Sequence, residues 1–226
     1  MDTNEWCAIA HIDFRPSFAD RAALIAAPQA GNGPSFEEGE QVLRALVAAE
    51  HPPGTVDLAV LQQLHAANHF EVIGRFSSEA VYEAHLISTA NLDYRRGLAP
   101  ALASPYEDRL LSARGEQAWP GAGAGDVVVI MQIDIQPPRL AEALSLVGEV
   151  APAQSAEAAM SGQVLLQRRC RPPNPELISV WSSSAAFGDH LASGSAQAPR
   201  SALASRLAAP VDVRLHRLFA GGWTTP

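Results

Sequence analysis

The chain has 226 residues, 47% of them hydrophobic and 18% charged, enough apolar material for one large core or two small ones. Its formal net charge is −8 and no Lys/Arg cluster stands out, which argues against a nucleic-acid surface and against an anionic membrane as partners. The start "MDTNEWCAIAH" has no basic segment followed by an apolar run, and no stretch approaches the ~20 apolar residues of a membrane span, so the expected location is the cytoplasm.

In chain order, the first predicted element is a strand over "WCAIAHIDF" (6–14), apolar and of strand length. "APQAGNGP" then reads as a loop. A helix follows over "FEEGEQVLRALVAAE" (36–50), where apolar residues recur at three- and four-residue spacings behind acidic ones. "VDLAVLQQL" and "HFEVIGRF" are two strands joined by a short polar connection, a hairpin signal. Ser77 is the candidate N-cap of a second helix carrying Tyr82 and His85, and "YEDRLL" closes the set as a fourth strand.

The order then repeats. A Gly- and Ala-rich linker, "SARGEQAWPGAGAG" (112–125), is followed by a strand over "DVVVIMQIDI" (126–135) and a helix over "PRLAEALSLVGEV" (138–150). "QVLLQRRC" and "ELISVW" form the second hairpin, Ser182 opens the next helix, and "VDVRLHRLF" is the last strand. The only cysteines, Cys7 and Cys170, fall one in each copy on predicted strands, which reads as buried thiols in a reducing compartment rather than a disulfide.

The repeat is written into individual residues. "RFSSEAVYEAHLIS" (75–88) matches "VWSSSAAFGDHLAS" (180–193) at an offset of 105, which sets Tyr82 on Phe187, His85 on His190, Arg95 on Arg200, Glu71 on Glu176 and Arg109 on Arg214. The first strands correspond at 121, Ile12-Asp13 to Ile133-Asp134, so the first copy carries 16 extra residues, expected between Ser17 and Phe36. The expected domains are 1–112 and 126–226, with 113–125 as linker.

Each copy reads β-α-β-β-α-β, the ferredoxin-like order of an α+β fold. Such a sheet carries its helices on one face and leaves the other uncovered. Yet Val127, Val129 and Met131 alternate with the equally apolar Val128 and Ile130, which requires burial on both faces. The expected architecture is therefore two tandem ferredoxin-like repeats packed sheet to sheet, an intramolecular α+β barrel stable without a second chain. A homo-oligomer built through edges or helices is compatible with this.

"NHFEVIGRFSSEAVYEAH" followed by "YRRGLAPALASPYEDRLL" resembles the antibiotic biosynthesis monooxygenase-like domains of the dimeric α+β barrel superfamily, which includes quinol monooxygenases. The resemblance covers roughly residues 6–112 and, more weakly, 126–219. It implies oxidation of a small aromatic or quinol-type substrate by O₂ with no cofactor and no metal. A non-catalytic small-molecule-binding protein of the same fold is the rival reading. Some relatives bind haem, but His11, Asp13, Gln132 and Asp134 stand where haem-degrading relatives carry Asn, and His85 and His190 where they carry Trp, which lowers that expectation.

The chemistry needs an apolar cavity, a base, and donors for a developing oxyanion. His85 is the candidate base, because imidazole titrates near neutrality. It is equally readable as an ordinary helix residue. Asn68, His69 and Arg109 are the candidate oxyanion contacts, although Asn68 could simply shape the turn and Arg109 or Arg214 could pair with Glu107 or Asp212. Phe70, Tyr82, Tyr106, His190 and Trp181 are expected to line a substrate pocket, with core packing as the plainer role of the aromatics. Arg95 and Arg200 would reach a substrate only if the second helix breaks or bends. No His/Cys/Asp/Glu group shows metal-site spacing. The working cavity is expected in the first half, because the second reads Asn174-Pro175 for Asn68-His69, smaller residues over 184–188, and Val211 for Tyr106.

Overall fold

The computed structural model describes residues 5–15, 36–114, 119–154, 158–170 and 172–222; the loop expected between Ser17 and Phe36 lies outside them. The first half runs β1 (Trp6–Asp13), α1 (Phe36–Ala48), β2 (Thr55–Gln63), β3 (His69–Phe76), α2 (Glu79–Leu86), α3 (Thr89–Leu98) and β4 (Glu107–Ala113). The second runs β5 (Val127–Gln132), α4 (Leu140–Gln154), β6 (Met160–Arg168), β7 (Pro175–Trp181), α5 (Ser184–Ala192), α6 (Gly194–Ala204) and β8 (Asp212–Gly222). All eight strands pair antiparallel in one closed barrel, β1-β3-β2-β8-β5-β7-β6-β4.

Each half supplies a four-stranded sheet, and two seams join them. β2 pairs with the far end of β8 from Leu58↔Gly222 to Gln63↔His216, and β4 meets β6 over Leu111↔Arg168 to Ala113↔Leu166. Closure leaves no open sheet edge. The β8–β2 seam needs a close approach at Gly221, whose φ is +75° and whose missing Cβ would lie 2.2 Å from the Leu58 carbonyl oxygen.

Strand alternation sorts the apolar residues into an inner core and outer layers. Cys7, Ile9, Leu61, Ile73, Val128, Ile130, Val164 and Ile178 fill the barrel. Ile12, Val60, Phe70 and Val72 point the other way, under α1 and α3 with Leu43 and Leu98, while Leu165 and Leu177 pack under α4 and α6 with Val147 and Leu203. The expectation of strands buried on both faces is met in this way. The barrel is a packed core. One end is closed by Trp119, from the linker, beneath the Arg75 guanidinium 4.7 Å from its ring; Arg75 pairs with Asp57, and with Glu5 at 3.1 Å.

Three sequence expectations are corrected. The single second helix of each half is two helices, broken where Ser88 and Ser193 cap α3 and α6: Ser88 Oγ accepts from Asn91 N at 3.2 Å and Ser193 Oγ from Ala196 N at 3.3 Å. The preceding helices are capped one residue later than expected, by Ser78 and Ser183 rather than Ser77 and Ser182. Cys7 is buried, and burial pushes its thiol well up, but Cys170 lies beyond the end of β6 and is exposed. Among the described residues no helix is long and apolar enough to cross a membrane.

Candidate functional site

Both helix histidines lie between their sheet and helices, on the outer face of the barrel wall. His85 is buried beside Phe76, with ring centroids 5.1 Å apart, and lines a small cavity with Tyr82, Tyr106, Asp108, Leu58 and Val72. Burial, helped by the neighbouring His51, lowers its pKa to about 4. The ring is therefore neutral at physiological pH, and its buried Nδ1 has no hydrogen-bond partner. Burial raises the Tyr82 hydroxyl to about 12 and holds those of Tyr94 and Tyr106 higher still, so all three are neutral.

Large polar side chains fill this first cavity rather than frame it. The Tyr106 hydroxyl donates to Asp108 Oδ1 at 2.7 Å, Tyr94 packs edge-on to Tyr106, and the Arg95 guanidinium pairs with Asp108 while lying 4.5 Å over the Tyr106 ring. Arg95 reaches this position because the helix breaks at Ser88. About 260 Å³ of space remains, its mouth included.

In the second half Pro199, Val211 and Val213 stand where the first has Tyr94, Tyr106 and Asp108. The cavity is correspondingly larger, about 640 Å³ with its mouth. Met131, Ile133, Val147, Leu177, Leu191 and Leu203 make its wall apolar, and His190 and Arg200 are its charged or titratable lining residues. Arg200 pairs with no carboxylate among the described residues, since the partner Arg95 has in Asp108 is a valine here. His190 packs against Trp181 with ring centroids 4.8 Å apart, and the Trp181 indole donates to Ser179 Oγ at 2.8 Å. Trp181 therefore supports His190 from behind the pocket.

The other expected catalytic residues do not join His85. Arg109 projects from the opposite face of β4 into the barrel, 3.5 Å from Glu71 and 3.5 Å from Glu176, two carboxylates with no exposure. Among the described residues its ion-pair partners are these two rather than Glu107. Asn68 Nδ2 donates to the Phe14 carbonyl at 3.0 Å and fastens the end of β1, as a turn residue would. His69 faces Asp13 at 2.8 Å on the inner surface, and Phe70 lies under the helices against Phe14 and Phe219. Of the expected set, the first cavity gathers only His85, Tyr82 and Tyr106.

Strand register also corrects the alignment of the halves. His11 pairs with Glu71 as Gln132 pairs with Glu176, which puts Asn174 at the place of His69 and Pro175 at that of Phe70. Asn174 Nδ2 donates to Asp134 Oδ1 at 2.9 Å, at the position where His69 faces Asp13. Sequence reading missed Asp108 and did not foresee the meeting of His11, Asp13 and His69, whose ligand atoms lie within 4.8 Å of one another despite the expectation of no metal-like group.

No family model matches the chain and no curated protein matches it. Solved structures do. A protein provisionally named a monooxygenase from Fusobacterium nucleatum aligns with 100% of this chain and 97% of its own at TM-score 0.76 and 8% identity. A protein described as anthrone oxidase-like aligns over 97% and 93% at TM-score 0.69 and 13% identity. A ferredoxin-fold protein from Listeria monocytogenes, described as related to antibiotic biosynthesis monooxygenases, aligns over 96% and 95% at TM-score 0.50 and 12% identity. At these identities the likeness is one of fold: the chain shares with these proteins the tandem α+β barrel.

Proposed function

We propose that the chain oxidises a small phenolic, anthrone or quinol-type aromatic with O₂, without flavin or metal at the reacting centre, in the cavity of the second half. The observation that carries this reading is that His190 shares an otherwise apolar cavity with Arg200, which has no carboxylate partner among the described residues. The apolar wall takes an aromatic ring, and Arg200 stands exposed at its rim. His190 accepts the acidic proton of the substrate, and Arg200 balances the oxyanion that this creates. The electron-rich anion then gives electrons to O₂. For a ring methylene the balance is CH₂ + O₂ → C=O + H₂O, all four electrons coming from the substrate, so no other reductant is consumed.

The first half contributes support rather than a second site, since Tyr94, Tyr106 and the Arg95–Asp108 pair occupy the equivalent space. Oxygen uptake by the purified chain with a panel of hydroquinones and anthrones, in chelator and without flavin, tests the proposal. Uptake above the uncatalysed rate supports it. Binding of the panel without any uptake would sink the oxidation and leave a small-molecule-binding protein.

A further inference from the structure

On the inner side of the first sheet, four ionisable residues meet at one end of the barrel. His11 and Asp13 share one face of β1, and their antiparallel partners on β3 are Glu71 and His69. His11 Nε2 and His69 Nδ1 each stand 2.8 Å from Asp13 Oδ1, and the ligand atoms of the three residues lie within 4.8 Å of one another. Oδ1 is itself buried and, apart from these two close contacts, has no hydrogen-bond partner among the described residues. Donor atoms bound at about 2.1 Å to one tetrahedral zinc-class ion lie about 3.4 Å apart. With two separations of 2.8 Å and all three atoms within 4.8 Å of one another, small side-chain shifts bring the three ligands around one ion.

We propose that His11, Asp13 and His69 form a binding site for a divalent transition cation of the zinc class, open to solvent on its remaining side. Two imidazoles and one carboxylate suit such ions, whereas Mg²⁺ and Ca²⁺ favour all-oxygen sets. The outer contacts fit as well. His11 Nδ1 lies 2.9 Å from Glu71 Oε1, a fully buried carboxylate that orients the ring with Nε2 toward Asp13. Ser104 Oγ donates to Asp13 Oδ2 at 3.3 Å, leaving Oδ1 for the ion. The side chains of His11, Asp13 and His69 are 25%, 23% and 35% exposed, so an ion can enter and keep water ligands. The nearest cationic group is Arg214, whose Nη1 lies 3.2 Å from His11 Nδ1 and 3.4 Å from His11 Nε2 and would swing aside as Nε2 takes the ion; its charge is met by Asp212 at 2.9 Å and Glu71 at 3.5 Å.

The duplication provides an internal control. At the same places the second half has Gln132, Asp134 and Asn174, and there Asn174 satisfies Asp134 Oδ1 with a direct hydrogen bond. The fold thus holds together with amides where the first half has imidazoles. The site does not depend on the oxidation proposed above, whose cavity lies on the outer side of the other sheet.

The test is a calorimetric titration of the chelator-stripped full chain with ZnCl₂, together with its unfolding midpoint with and without zinc. The wild type should bind one ion per chain at micromolar affinity or tighter and unfold at higher temperature with zinc. The double variant His11→Gln/His69→Asn installs the residues that the second half already carries, and it should lose at least about 100-fold in affinity along with the thermal shift. His69→Asn alone, at the most exposed ligand, should lose at least about 10-fold. No binding by the wild type at millimolar zinc would overturn the site, and so would an unchanged isotherm in the folded variants, which would put the ion elsewhere.

Discussion

Asp108 on β4 holds the guanidinium of Arg95 from α3, whereas their counterparts Val213 and Arg200 share only the wall of an open cavity. This one difference separates two halves built on the same plan. In the first, an ion pair and two tyrosines occupy the space between sheet and helices. In the second, aliphatic residues leave that space open and leave an arginine without a carboxylate partner among the described residues.

Returning the first-half residues to the second should therefore close it. The double variant Val211→Tyr/Val213→Asp gives Arg200 a carboxylate partner and fills the cavity with a ring. Its affinity for a hydroquinone-type ligand, measured by calorimetry, should fall at least about tenfold, about 1.4 kcal/mol. Unchanged affinity in the folded variant would place the ligand somewhere other than this cavity.

Stability should fall on acidification through the buried histidines. His85 and His216 have folded pKa values lowered to about 4, mainly by burial, against about 6.5 when unfolded. Between those values the unfolded chain holds the extra protons, so the contribution is fully present above pH ~6.5 and is lost as pH falls toward ~4. For His85 it is worth at most about 3 kcal/mol, less what solvent screening removes. Urea unfolding of wild type and His85→Phe at pH 7.5 and pH 4.5 would show it. The wild type should lose more stability than the variant, and equal losses would contradict the assignment.

Arg109 should matter for stability, not turnover. Removing its charge by Arg109→Met leaves Glu71 and Glu176 with less compensation inside the barrel, although Arg168 still holds Glu176 at 2.8 Å. Loss of one partner from a buried charge network costs on the order of 3–5 kcal/mol. Calorimetry should then give a midpoint lower by on the order of 10 °C. A variant as stable as the wild type but inactive would return Arg109 to a catalytic role.

The fold was legible because it rests on local period and on repetition. Apolar residues on both faces of β5 announced the second sheet, and the matched segments around His85 and His190 announced the duplication. The break at Ser88 was not legible, because the serine that caps α3 also fits within a longer helical pattern. Cavity size escaped for a different reason. Tyr106 and Asp108 read as richer chemistry than Val211 and Val213, but in a confined space their volume and their mutual bonding displace a ligand. The His11–Asp13–His69 cluster depends on which residue of β3 lies opposite which residue of β1, and an error of one residue in placing Asn174 hid the comparison that marks it.

The central claim is that oxidation occurs in the second cavity, with His190 as the base. Its most direct test is oxygen consumption by His190→Ala beside His85→Ala, with the best substrate of the panel, in chelator, on protein shown to be folded. The account predicts that His190→Ala lowers turnover by about 10²–10⁴, the usual worth of a positioned general base, while His85→Ala stays within a few-fold of wild type. Loss of turnover in His85→Ala with His190→Ala unaffected would contradict it and move the chemistry to the first half.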